Sequence, residues 1–133
     1  MTGRARFVRF NVVSAAGFVV QIATVGMLTR WTTVSAEAAT AAGVAAAVAH
    51  NFLWHRRWTW VDRAPGLAAG VRTFARFAAA NGAVSLAGNV LIVAALAGAA
   101  GLQAVTANVV AVVLCGLLNY QIGDRLVFRA GLE

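Results

Sequence analysis

The chain has 133 residues, of which 61% are apolar and only 11% charged; that is room for one domain and too much apolar surface for a water-soluble core of this size. Lipid must therefore solvate much of it. The net charge of +7 comes from eleven arginines and no lysine against Glu37, Asp62, Asp124 and Glu133, and the arginines cluster between apolar runs, which favours anionic membrane lipids over nucleic acid as a partner.

The first element is announced by Arg4, Arg6 and Arg9, followed by 20 uncharged residues from Phe10 to Thr29. That is about what a helix needs to cross ~30 Å of hydrocarbon. The basic start and the small residues of "SAAG" resemble a signal peptide, but the apolar run is too long for one and continues past that point, so a retained span is expected. The second apolar run, Ala38 to Trp54, adds 17 residues and ends in "AHNFLWHRRWTW" (49–60). Pro65-Gly66 then punctuates a loop. From Phe77 to Gly123 lie 47 uncharged residues, too many for one span, and "AGAAGLQ" (97–103) offers the glycine-rich break. The pattern predicts helices near 7–29, 36–55, 74–97 and 103–123: an all-α, polytopic membrane protein forming a single domain.

Four spans place the N-terminus, the 56–76 loop and the C-terminus on one side. Arginines 4, 6, 9, 56, 57, 63, 72, 76, 125 and 129 all lie there, and only Arg30 lies opposite. Positive charge is retained on the cytoplasmic side, so both termini are expected in the cytoplasm. The lone Cys115, within an apolar run, excludes an intramolecular disulfide and reads as a buried thiol.

The chain also repeats itself. "RFVRFNVVSAAG" (6–17) aligns with "TFARFAAANGAV" (73–84) at an offset of 67, and "HNFLWHRRWTW" (50–60) aligns with "LNYQIGDRLVF" (118–128) at 68. Two blocks in the same order define units of about 6–60 and 73–128, each a two-helix hairpin. An even number of helices per unit makes the repeat parallel, as in some transporters; duplication of a merely stable bundle would leave the same trace.

Uncharged polar residues recur inside the spans. Asn81, Ser85 and Asn89 share one face of the third helix, and Asn108, Cys115 and Asn119 one face of the fourth. Asn11, Ser14, Gln21 and Thr24 form a broader stripe on the first, and Thr40, Ala47 and Asn51 occupy the repeat-equivalent positions of the second. Such residues serve as interhelical hydrogen-bonding groups, or line a polar path along which a lipid headgroup crosses while its tail stays in the bilayer. No acid or base is expected at mid-membrane, which weighs against a proton-coupled exporter. His50 and His55 make a poor metal pair, and no nucleophile–base set or phosphate-binding glycine loop is present. No enzyme activity, metal or cofactor is expected.

The aromatic–arginine cluster falls where the second helix leaves the membrane. Trp54, Trp58 and Trp60 suit anchors at the lipid–water boundary, and the arginines there meet lipid phosphates. A single-stranded nucleic-acid platform fits poorly at a helix end held in the bilayer. In the functional reading, Arg56 or Arg57 grips the phosphate of a lipid-linked substrate. Arg9 and Arg76 are added contacts, and His50 and Asn51 lie one turn deeper.

"RFVRFNVVSAAGFVVQI", "NFLWHRRWTW", "FARFAAANG" and "NYQIGDRLVF" together resemble the GtrA-like family of small four-helix membrane proteins over residues 6–128. Its second-helix signature, Asn-Phe-x-x-Asn-Arg-x-Trp-Thr-Phe, is met by Asn51, Phe52, Arg56, Trp58 and Thr59, with His55 for the second Asn and Trp60 for the Phe. The fourth-helix copy departs: Asp124 stands at a usually basic position, Arg125 follows it, and Leu126 replaces a tryptophan. The better phosphate site is therefore expected in the first half. The resemblance implies movement of polyprenyl-phosphate-linked monosaccharides across the bacterial cytoplasmic membrane, for glycosyltransferases that build surface polysaccharide or cell wall. Phosphate capture is accordingly expected of Arg9, Arg56, Arg57 and Arg76. The polar path would comprise Asn11, Ser14, Gln21, His50, Asn51, Asn81, Ser85, Asn89 and Asn119. The alternative is a non-transporting scaffold that positions a glycosyltransferase; the near absence of a cytoplasmic tail favours transport. Four short helices enclose little volume, so a homodimer is expected.

Overall fold

A computed structural model describes residues 2–63 and 67–128. Pro65-Gly66, Arg129 and Glu133 lie outside the described residues, as does the side chain of Asn108. The described chain is helical and contains no strand. It divides into two compact units at Ala64–Pro65, each of which is described by itself.

In the first unit, α1 (Gly3–Trp31) and α2 (Ala36–Trp54) form a hairpin. α1 buries Arg6, Phe10, Val13 and Gly17, a 4-3-4 spacing that lines one helical face. α2 answers with Ala39, Gly43 and Ala47, at a spacing of four, so small side chains let the two backbones approach. Thr32 closes α1, its N–H donating to Leu28 O at 3.0 Å. Ser35 opens α2, its hydroxyl accepting from the Ala38 N–H at 3.2 Å, with Glu37 in the positively polarised first turn. Ser35→Ala is expected to cost about 1 kcal/mol, measurable as a lower unfolding midpoint in detergent.

α2 then widens. Its last turn, His55–Thr59, is a π-turn closed by the Trp60 N–H donating to His55 O at 2.7 Å. A short 3₁₀ turn, Val61–Arg63, follows.

In the second unit, α3 (Leu67–Ala83), the π-turn Val84–Gly88, α4 (Asn89–Val93) and the π-turn Ala94–Ala99 follow one another as a nearly continuous helical rod. The rod ends at the expected break. The Leu102 N–H donates to Leu96 O at 3.0 Å, and Gly101 takes φ +66°, a left-handed conformation costly for a residue with a Cβ. α5 (Ala104–Ile122) returns along the rod and ends in its own π-turn, Gly123–Val127, closed by Phe128 N–H to Gly123 O at 2.9 Å. α5 buries Ala107, Ala111 and Cys115, again at a spacing of four.

Among the described residues, three helical stretches are long and apolar enough to cross a membrane: Gly3–Trp31, Gly70–Ala99 and Val109–Val127. Large apolar side chains such as Phe18, Val19, Ile22, Leu86, Leu91 and Val113 are exposed, an arrangement suited to hydrocarbon and intolerable in water. The protein is thus a helical membrane protein. α2 has the length of a span but falls short in apolarity: its body is mostly alanine, with Glu37, His50 and Asn51 near its ends. The third helix begins at Leu67, seven residues before its expected start at 74, and α1 begins at Gly3 rather than 7. Both extensions carry arginine, so apolar continuity alone could not reach them.

Candidate functional site

The arginine-rich end of the first hairpin is built on the π-turn. One extra residue in that turn swings Trp60 back onto the hairpin, where its ring is fully buried. There it meets Phe10 at 5.9 Å and His55 at 5.0 Å, both edge-on. His55 lies flat on Phe10, centroids 4.9 Å apart and planes within 7°. Its Nδ1 and the buried Thr59 hydroxyl share a hydrogen bond of 3.0 Å. Trp60 therefore corrects the expectation of three boundary anchors: Trp54 and Trp58 are exposed, whereas Trp60 is a packing residue.

Two arginines of α1 hold this turn from outside. Arg6 is buried and bonds Asp62 Oδ2 at 2.9 Å, tying the start of α1 to the 3₁₀ turn. Arg9 donates to Trp58 O at 3.0 Å and lies over the Trp58 ring at 5.3 Å, a cation–π arrangement. Sequence reasoning missed Arg6, which reads as one more topology-setting charge. Its place on the stripe with Phe10, Val13 and Gly17 is the signal that could have found it. Of the other expected phosphate contacts, Arg56 is half-buried, and Arg57 and Arg76 are exposed.

One turn before the π-turn sits a polar pair. His50 Nδ1 donates to Asn51 Oδ1 at 3.2 Å. The Asn51 amide lies directly on Gly17, where a Cβ would come within 2.7 Å of Cγ and 2.8 Å of Nδ2. Nearer the other end of the hairpin, Gly43 plays the same part: a Cβ there would lie 2.7 Å from Val25 Cγ2 and 3.0 Å from Gln21 O. Asn11 stands apart, exposed and donating to Phe7 O of its own helix at 2.8 Å; Thr24 likewise returns to Val20 O. Ser14 is half-buried on α1.

The second hairpin brings Asn81, Ser85 and Asn119 together. Asn119 Nδ2 donates to Ser85 Oγ at 3.2 Å, and Asn81 and Asn119 both line a small cleft with Phe77, Gly123 and Val127. Cys115 is a buried free thiol donating to Val84 O at 3.4 Å, and Asn89 is half-buried further along the rod. Among the described residues, no group of three or more metal-ligating side chains occurs.

Helical hairpins clad in exposed apolar residues, with a few polar side chains hydrogen-bonded within them, define a small helical membrane protein. Residues 9–128 match the family described as GtrA/DPMS, transmembrane domain. The chain belongs to that family. Among curated proteins none matches it.

Proposed function

We propose that the protein carries polyprenyl-phosphate-linked monosaccharides across the bacterial cytoplasmic membrane, supplying glycosyltransferases that decorate surface polysaccharide or cell wall. The observation that carries this reading is the pairing of uncharged polar residues one turn or more inside arginine-bearing helix ends. Asn51, paired with His50, lies on Gly17, and Ser85–Asn119 lies beside Asn81. Membership of the GtrA/DPMS family supports it, since the family suggests handling of polyprenyl-phosphate sugars. Uncharged amides can exchange hydrogen bonds with a sugar without the ~2.5–3.5 kcal/mol or more that a charge costs at mid-bilayer.

In this reading α2 is the fourth span, its alanine face packed on α1 rather than spread in lipid. The two hairpins are parallel repeats, and both termini lie in the cytoplasm with the arginines. Arg9, Arg56, Arg57 and Arg76 form the phosphate-attracting set, and anionic lipids neutralise the remainder. Two copies associate to enclose the path. The protein forms no covalent intermediate and needs no cofactor.

The test is reconstitution into liposomes with labelled polyprenyl-phosphate sugar. Leaflet exchange should rise at least about tenfold over protein-free liposomes, a barrier reduction of about 1.4 kcal/mol. Exchange no faster than in empty liposomes, with the protein folded, would overturn the transport reading in favour of a scaffold. Arg56→Ala that inserts normally but loses lipid binding supports phosphate capture; unaltered binding removes Arg56 from the set.

A further inference from the structure

Within the first hairpin, the space beside Phe10 is filled by the chain itself: the His55 imidazole lies flat on the ring and is 1% exposed. Sixty-eight residues later the chain has Gly123, and sixty-seven after Phe10 it has Phe77. The second hairpin keeps the frame of that site, with Phe128 buried 6.2 Å from Phe77 and a π-turn starting at residue 123. It lacks the plug. In its place is a cavity of about 10 Å³ bordered by Phe77, Asn81, Asn119, Gly123 and Val127, room for one water-sized group.

The cavity has polar groups to spare. Asn119 uses its Nδ2 on Ser85, leaving Oδ1 as an acceptor. Among the described residues no hydrogen bond engages the Asn81 side chain, so its amide retains both donors and its acceptor. The repeat-related arginines, Arg9 and Arg76, differ in the same direction. Arg9 is held by the Trp58 carbonyl and ring. The position 68 residues after Trp58 is Leu126, an exposed aliphatic side chain. Arg76, adjacent in sequence to Phe77, is exposed, and among the described residues its side chain makes no hydrogen bond or ion pair.

We propose that the second hairpin is the half that recognises the sugar. One sugar hydroxyl enters the cavity between Asn81 and Asn119, while Arg76 contacts the linking phosphate. The first hairpin contributes phosphate-attracting arginines but is the closed counterpart for the sugar: the space matching the cavity is filled by His55, and Arg9 is held at Trp58. This rests on the lipid-linked-sugar reading above, and it reverses the expectation that the better site lies in the first half.

The test is binding in nanodiscs, by native mass spectrometry, of farnesyl phosphate with and without glucose, galactose, mannose or arabinose. Wild type should favour at least one glycosylated lipid over bare farnesyl phosphate. Asn81→Ala, and Gly123→His as a transplant of the plug, should each weaken that glycosylated lipid about fivefold or more, the scale of one neutral hydrogen bond. Both should leave bare farnesyl phosphate within about twofold by the same reasoning, whereas Arg76→Ala weakens both lipids. If Gly123→His does not fold, Asn81→Ala alone decides, since it removes the amide without adding volume. Folded Asn81→Ala that binds the glycosylated lipid as wild type does overturns the proposal while sparing the transport reading. Equal binding of glycosylated and bare lipids by wild type also overturns it. Wild type that binds neither lipid overturns both.

Discussion

Trp60→Ala is expected to lower stability by about 3–5 kcal/mol, whereas Trp54→Ala changes it by about 0.5 kcal/mol or less. The two residues are six apart in one aromatic–arginine cluster, yet Trp60 is 0% exposed and Trp54 50%. Removing the Trp60 indole strips the edge contacts to Phe10 and His55 and opens a cavity beneath the π-turn that holds Arg56 and Arg57. Because lipid is as apolar as the side chain, the loss comes from packing rather than from transfer out of water. The measurement is reversible unfolding in mixed micelles, with both variants under the same conditions. Equal effects would show that Trp60 is a boundary anchor after all, and that the buried cluster does not hold the helix end.

What the sequence made legible divides along a physical line. Hydropathy reports the solvent, so the apolar runs behind α1, the 74–97 part of the rod and α5 were readable, as was the break that places Gly101 at a left-handed turn. Contacts with a partner helix are invisible to it. The arginines at 4, 6 and 9 look alike in sequence, but Arg6 alone falls on the buried face of α1 and pairs with Asp62. The π-turns at 55–59 and 123–127 have no local composition that announces them; they are set by the aromatic residue that each swings inward. Polar stripes were half-readable. Spacing put Asn81 and Ser85 on one face, but only the hairpin shows that Asn119 reaches Ser85, or that Asn11 turns back on its own backbone. Position 123 reads as an ordinary glycine until His55 is seen filling the matching space in the other unit.

Gly17→Ala is expected to separate the polar pair from the rest of the fold. A methyl there would sit within 2.8 Å of Asn51 Nδ2, 2.7 Å of Cγ and closer still to Oδ1. Asn51 must swing away, and its contact with His50 Nδ1 breaks with it. Overpacking of this kind costs about 1–3 kcal/mol, part of which alanine's better helix propensity offsets, by up to about 1 kcal/mol. Gly26→Ala is the matched control on the same helix, because nothing lies within 4 Å of its added methyl; there only the propensity gain remains. The two variants should therefore differ in unfolding free energy by about 1–3 kcal/mol, with Gly17→Ala the weaker. If Asn51 serves the path of a sugar headgroup, leaflet exchange by Gly17→Ala should fall about tenfold, as for a misplaced positioning group, while Gly26→Ala exchanges at the wild-type rate. Reduced stability with undiminished exchange would make the close approach of α1 and α2 purely architectural. The polar path would then have to run through the asparagines of the second hairpin alone.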